Sequence, residues 1–211
     1  LGSSYPKVFL ILGNDDCKAD EKYLHEGEKK ALWEYIHNKA GKIDEFSVYG
    51  YSNIPPSPFI LKDFERYDVS RFVDPGCIAP EDGAFSTDVN KELIKISTIQ
   101  KDLDKLTIDQ DLSKSIFLFH CPPYQSKLDR AALDGKFYEH VPLDVHIGSI
   151  AIKRFISKRQ PLLTLHGHVH ESAKLTGSWK DKIKDTHMFT AAHDGEELAI
   201  IVFNPTFPEK A

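Results

Sequence analysis

Three short apolar runs, each broken off by a polar cluster of the kind that binds ions, restrict this chain to few architectures. Lys7 to Leu12 (KVFLIL) runs into Gly13-Asn14-Asp15-Asp16, and Ser115 to Phe119 (SIFLF) runs into His120-Cys121-Pro122-Pro123-Tyr124. Leu163-Thr164-Leu165 runs into His166-Gly167-His168-Val169-His170. Short apolar runs bounded by turn formers read as buried strands. Between them lie stretches of helical spacing, and strands alternating with helices define an α/β fold. Such folds gather their sites at the carboxyl ends of sheet strands, so Asn14, His120, His168 and His170 are placed to meet in space. Amide oxygen and imidazole are ligands for transition metals, which makes a metal site the expected chemistry. Alternation would let His166, His168 and His170 share one side of an extended segment, although Gly167 permits a kink that separates them.

The remaining elements follow from local pattern. Glu26 to Lys39 carries Ala31, Leu32, Tyr35 and Ile36 at helical spacing, with Gly41 as a stop. Phe46 to Tyr51 reads as a strand, and the proline-rich Asn53 to Pro58 as a loop. Residues 59 to 86 read as irregular and aromatic-rich, and Asn90 to Leu106 as one amphipathic helix. A helix starts at Gly148-Ser149, with capping by Ser149, and runs through Arg159; Pro161 stops it. Met188 to Ala191 and Leu198 to Phe203 are further strands, joined by a polar hairpin loop at His193 to Glu197. At 211 residues, a single domain over 1–211 with one sizeable core is expected.

Composition narrows the function. A net charge of -5 and a pI near 6.1 speak against a nucleic-acid scaffold or a binder of anionic membranes. No apolar run reaches membrane-spanning length. The three scattered cysteines, Cys17, Cys77 and Cys121, fit a reducing compartment, so a cytoplasmic location is expected. The chain begins at Leu1 and its single methionine is Met188, which reads as a processed, truncated or partly represented polypeptide.

With these residues in view, the sequence resembles the calcineurin-like metallophosphoesterase superfamily. That superfamily carries an Asp-x-His block, a Gly-Asp block, a Gly-Asn-His-Asp/Glu block, a lone histidine after a strand, and a Gly-His-x-His block. Gly13-Asn14-Asp15-Asp16 looks like the third, His120 the fourth, and Gly167-His168-Val169-His170 the fifth. The Asn53 to Phe59 loop (NIPPSPF), His120 to Tyr124 (HCPPY) and Leu165 to Ser172 (LHGHVHES) are similar to an uncharacterised bacterial and archaeal branch related to cyclic-nucleotide phosphodiesterases. The resemblance implies a four-layer α-β-β-α sandwich lacking its N-terminal strand–helix portion. It also implies two divalent metal ions (Mn, Fe or Zn), with Asn14, His120 and His168 on one and His170 on the other. The first two blocks have no counterpart after Leu1, so roughly a further half-domain is expected upstream of it. Asp144-Val145-His146 spells Asp-x-His, but out of order, and is read as a coincidental loop.

The implied activity is hydrolysis of a small phosphodiester or phosphomonoester through a dinuclear-metal-activated water. In the family a histidine after the asparagine protonates the leaving group; here Asp15 stands there. A carboxylate beside metal cations stays ionised and makes a poor proton donor, so good leaving groups or another acid are expected. His166 is the spare imidazole nearest the site and the second catalytic candidate. Tyr124, Lys127 and Arg130, just after His120, and His146, ahead of a helix N-terminus, are candidates for binding substrate. Each also has a plainer role open to it: a solvated loop, a packed strand residue or a cap. A catalytically degenerate binding or scaffold protein on the same fold is the alternative, and a single-zinc hydrolase on His120, His168 and His170 is a third.

Overall fold

A computed structural model of the protein describes residues 5–211. Its centre is a mixed six-stranded sheet, which makes the chain an α/β protein. The elements run β1 (Phe9–Leu10), α1 (Glu21–Lys29), β2 (Glu34–Tyr35), β3 (Lys39–Ile43), β4 (Phe46–Tyr51), α2 (Lys91–Ile96), α3 (Ile99–Leu106) and β5 (Ser115–Phe119). They continue through β6 (Phe137–Tyr138), β7 (Val141–Pro142), α4 (Ile150–Arg159), β8 (Leu163–His166), α5 (Ser172–Thr176), β9 (Lys180–Ile183) and β10 (Thr186–Thr190). The large sheet has the order β3-β4-β5-β8-β10-β9. Its four central strands are parallel, and the edge strands β3 and β9 are antiparallel to their neighbours.

Side chains alternate across this sheet and split the core in two. Tyr49, Tyr51, Phe117 and Phe119 face one side, where Ile99 and Leu103 of α3 and Ile152, Phe155 and Ile156 of α4 cover them. Val48, Ile116 and Leu163 face the other, together with Ile36, Phe9, Ile11 and Phe203. Tyr49 stacks on Phe117 at 4.7 Å and Phe117 on Phe119 at 5.1 Å, so β4 and β5 are fastened by aromatic pairs as well as by their ladder.

Several elements differ from the sequence expectation for identifiable reasons. The helix expected over 26–39 occupies Glu21–Lys29 instead. Ala31 takes a left-handed φ of 55°, and Leu32 N–H returns to Gly27 carbonyl. Gly27 has no Cβ, which makes room for the Trp33 ring, and the indole donates to Leu24 carbonyl. With the chain reversed there, Glu34 and Tyr35 pair with β1 as a strand. The helix expected over 90–106 is two, because Ser97 is extended and Thr98 starts the second by accepting Lys101 N–H. The strand expected over Lys7 to Leu12 ladders only at Phe9–Leu10. Leu198 to Phe203 forms no strand, since none of the described strands pairs with it; Leu198, Ile200 and Val202 point outward at 85%, 72% and 81% exposure. Among the described residues, no helix is long and apolar enough to cross a membrane.

Candidate metal centre

Gly13-Asn14, His120 and Gly167-His168 follow three separate apolar segments, and their side chains meet. His120 Nε2–H donates to Asn14 Oδ1 at 2.8 Å, and His168 Nδ1–H donates to the same oxygen at 3.0 Å. The amide is held the right way round because its Nδ2 donates to Asp15 Oδ1 at 3.0 Å, leaving the oxygen to the rings. Asp16 accepts Gly13 N–H at 2.7 Å and so ties off the turn that presents Asn14. A Cβ on Gly13 would lie 2.6 Å from His120 Cε1, so that position admits only glycine with the ring where it is.

The histidine segment gives its rings different partners. Its kink falls at His168 itself, whose φ is 70°, rather than at Gly167. A non-glycine residue held in the left-handed region stores strain of about 1–3 kcal/mol, and such positions gather at functional sites. As a result the three rings have different surroundings. His166 is buried and stacks on Phe119 at 5.8 Å. Its Nδ1 donates to Cys121 carbonyl at 3.0 Å and its Nε2 accepts from Thr164 hydroxyl at 2.7 Å, so a catalytic role would require one of these bonds to break. His168 turns to Asn14, and His170 lines the cavity beyond it.

Burial sets the charge state of this wall. Loss of water pulls His120 down to about 4 and His168 down to about 3, so both rings are uncharged at neutral pH. For His120 the nearby Asp15 and Asp16 oppose that fall. Neutral imidazoles carry the lone pairs that a cation needs. An amide oxygen flanked by two neutral imidazoles fits one side of a site for a borderline divalent ion once each ring carries its proton on the other nitrogen, since His120 Nε2 and His168 Nδ1 are donors here. They do not close it: among the described residues, no group of three or more His, Cys, Asp or Glu is gathered tightly enough to hold a metal.

A cavity of about 380 Å³ opens over this wall, lined by His120, His166, His168 and His170 and, across it, by the segment from Ala191 to Ala199. His193 and Glu197 of that segment pair with each other at 3.0 Å. From the sequence the polar cluster at 193–197 reads only as a hairpin loop; its place just after the strand that follows the histidine segment is the signal that it returns to the same end of the sheet. Tyr124, Lys127, Arg130 and His146 do not line this cavity. Tyr124 donates to Asp144 at 2.6 Å, Arg130 to Asp134 at 2.6 Å, and His146 Nδ1 faces Asp129 at 2.9 Å. Lys127 N–H donates to Asp181 at 2.9 Å. Asp144-Val145-His146 puts its carboxylate and its ring on different partners, Tyr124 and Asp129.

No family model matches the chain, and no curated protein does. Two solved crystal structures align with it. One aligns over 88% of this chain and 57% of its own, at 15% identity and a TM-score of 0.47. The other, TT1561 of Thermus thermophilus, aligns over 88% of this chain and 62% of its own, at 16% identity and a TM-score of 0.43. The chain thus spans less than two thirds of either structure, and at these identities neither assigns a family.

Proposed function

We propose that the protein is a metal-dependent phosphoesterase of the calcineurin-like kind, hydrolysing a small phosphodiester or phosphomonoester. The observation that carries this reading is the convergence of His120 and His168 on Asn14 Oδ1 from 106 and 154 residues away. The four-layer sandwich belongs to the same reading, with the six-stranded sheet as one of its two sheets. Asn14, His120 and His168 would hold one divalent ion and His170 would contribute to a second. When bound, such a pair neutralises phosphoryl charge and makes a nucleophile available at neutral pH.

The chain's own residues prepare that wall. Asp15 and Asp16 orient the asparagine and its turn, Gly13 admits the His120 ring, and burial keeps both imidazoles neutral. The substrate would occupy the cavity between this wall and the Ala191 to Ala199 segment, where His193 and Glu197 bring the polar groups. Hydrolysis of bis(p-nitrophenyl) phosphate with added Mn, abolished by Asn14→Ala, tests the assignment.

A second reading is favoured by a specific observation, the absence among the described residues of a closed cluster of His, Cys, Asp and Glu. With Asp15 where the family carries its proton-donating histidine, a catalytically degenerate binding or scaffold protein is the alternative. Metal binding without turnover of any phosphoester would select it.

A further inference from the structure

The two sides of the cavity over the histidine wall differ in chemistry. One is the wall itself, with His120, His168 and His170; the other is the segment that follows β10. The sheet places that segment. β10 runs parallel to β8 with Thr190 opposite His166, so Ala191 and Ala192 continue beside Gly167 and His168. The Thr190 hydroxyl donates to His166 carbonyl at 3.2 Å and accepts Ala192 N–H at 3.1 Å, which fixes the chain as it leaves the strand. Ala191, Ala192, Leu198 and Ala199 make this side of the cavity apolar.

Charge is distributed as unevenly. Among the described residues, neither lysine nor arginine lines the cavity. Its rim is acidic, because Asp194, Glu196 and Glu197 lie close together in the segment and all are exposed. His193 Nε2–H donates to Glu197 Oε2 at 3.0 Å, and that bond holds the Glu197 carboxyl below its ordinary range, so it is ionised at neutral pH. Lys174 reaches the segment but is paired with Asp194 at 3.2 Å.

Phosphomonoesters and phosphodiesters differ in one substituent. At neutral pH a monoester carries most of a second negative charge on an oxygen where a diester carries an ester group. Whatever Asn14, His120, His168 and His170 hold serves the phosphoryl oxygens common to both, so the choice between them falls to the groups beyond. Lysine and arginine are the side chains that hold a second phosphoryl charge, and here that charge would meet an acidic rim instead. A carbon substituent, by contrast, gains by leaving water against alanine and leucine.

We propose, on the phosphoesterase reading above, that this site acts on phosphodiesters in preference to monoesters, with a small, uncharged, apolar second ester group seated against Ala191, Ala192, Leu198 and Ala199. A cavity of about 380 Å³ suits a molecule of that size. Water gives its oxygen to phosphorus and one proton to the leaving oxygen, whose bond to phosphorus breaks with its electron pair. The second ester group stays on the monoester product, which keeps the other proton until solvent takes it. That product is the species the acidic rim repels, so the same groups favour its release.

The test uses the full chain with Mn and three esters of one leaving group: p-nitrophenyl phosphate, methyl p-nitrophenyl phosphate and ethyl p-nitrophenyl phosphate. kcat/KM is expected to be at least about tenfold higher on the ethyl diester than on the monoester and to rise from methyl to ethyl, as one methylene does in an apolar pocket. Glu197→Gln and Leu198→Lys both change exposed side chains. Each should shift the ratio of the two rates toward the monoester by about two- to fivefold, the scale of one exposed charge. A smaller advantage for the ethyl diester, or variants that leave the ratio unchanged, would overturn the substrate class and leave the phosphoesterase reading standing. A wild type that turns over none of the three esters overturns that reading, and the substrate class with it.

Discussion

Removing the Asn14 side chain isolates the contact that joins three distant segments. In Asn14→Ala, the His120 Nε2–H and His168 Nδ1–H lose their shared acceptor. Both rings are uncharged above pH 7, so the loss is that of two neutral donors. A buried donor left without a partner costs about 1–3 kcal/mol. These two border an open cavity where water replaces part of the bond, which puts each at the lower end, for a total of about 2 kcal/mol. For a chain of this length that corresponds to a fall in Tm of about 4–8 °C. Urea unfolding at pH 7.5 with a chelator present measures it without any metal contribution. Asn14→Asp keeps the acceptor and should lose less. A change below about 0.5 kcal/mol in Asn14→Ala, the size of an ordinary surface substitution, would refute the claim that this oxygen organises the wall.

Three further outcomes are expected. Burial holds His166 at about 4 against an ordinary 6.5. The unfolded chain therefore binds a proton first as pH falls, and stability drops between pH 6.5 and 4 by up to about 1.4 kcal/mol per pH unit from this ring. His166→Gln should flatten that slope; an unaltered slope would show that the ring does not contribute. Lys62 and Glu65 form an ion pair with both side chains at 0% exposure, and Ser57 completes it through its backbone N–H and its hydroxyl. Lys62→Met should cost about 3–5 kcal/mol in chemical denaturation, and Glu65→Leu added to it should recover part of the loss; a cost under about 1 kcal/mol would contradict the burial. Gly13→Ala drives a methyl into the His120 ring and should cut Mn-dependent hydrolysis at least about tenfold while costing about 1–3 kcal/mol, whereas wild-type rates would refute the close packing.

The meeting of Asn14, His120 and His168 was more legible in the sequence than the scaffold that carries them. Asn14, His120 and His168 were legible because each follows a short apolar run; β5 and β8 are parallel neighbours that deliver His120 and His168 to one end of the large sheet, whereas the run before Asn14 pairs with β2 apart from that sheet. The Ser149 cap and the β5–α4–β8 unit were legible from period and punctuation. The α1–β2 reversal was hidden because Ala31, Leu32, Tyr35 and Ile36 satisfy helical spacing while Trp33 satisfies a tertiary socket over Gly27. Thr98 was a cap signal masked by the hydrophobic period running through it. The different partners of His166 and His168 depend on one left-handed residue, which a two-residue alternation does not encode. The burial of Asp129 was invisible for another reason: the hydrogen bonds that hold its carboxylate come from a loop with no period.

The central claim is that Asn14, His120 and His168 hold a catalytic divalent ion. The most direct measurement is the rate of bis(p-nitrophenyl) phosphate hydrolysis as Mn is titrated into chelator-treated wild type, Asn14→Ala and His168→Ala. Saturable, Mn-dependent turnover by the wild type and a loss of at least about 100-fold in both variants, the scale on which metal-site residues act, is the predicted result. Turnover that ignores Mn, or variants that keep the wild-type rate, would contradict it.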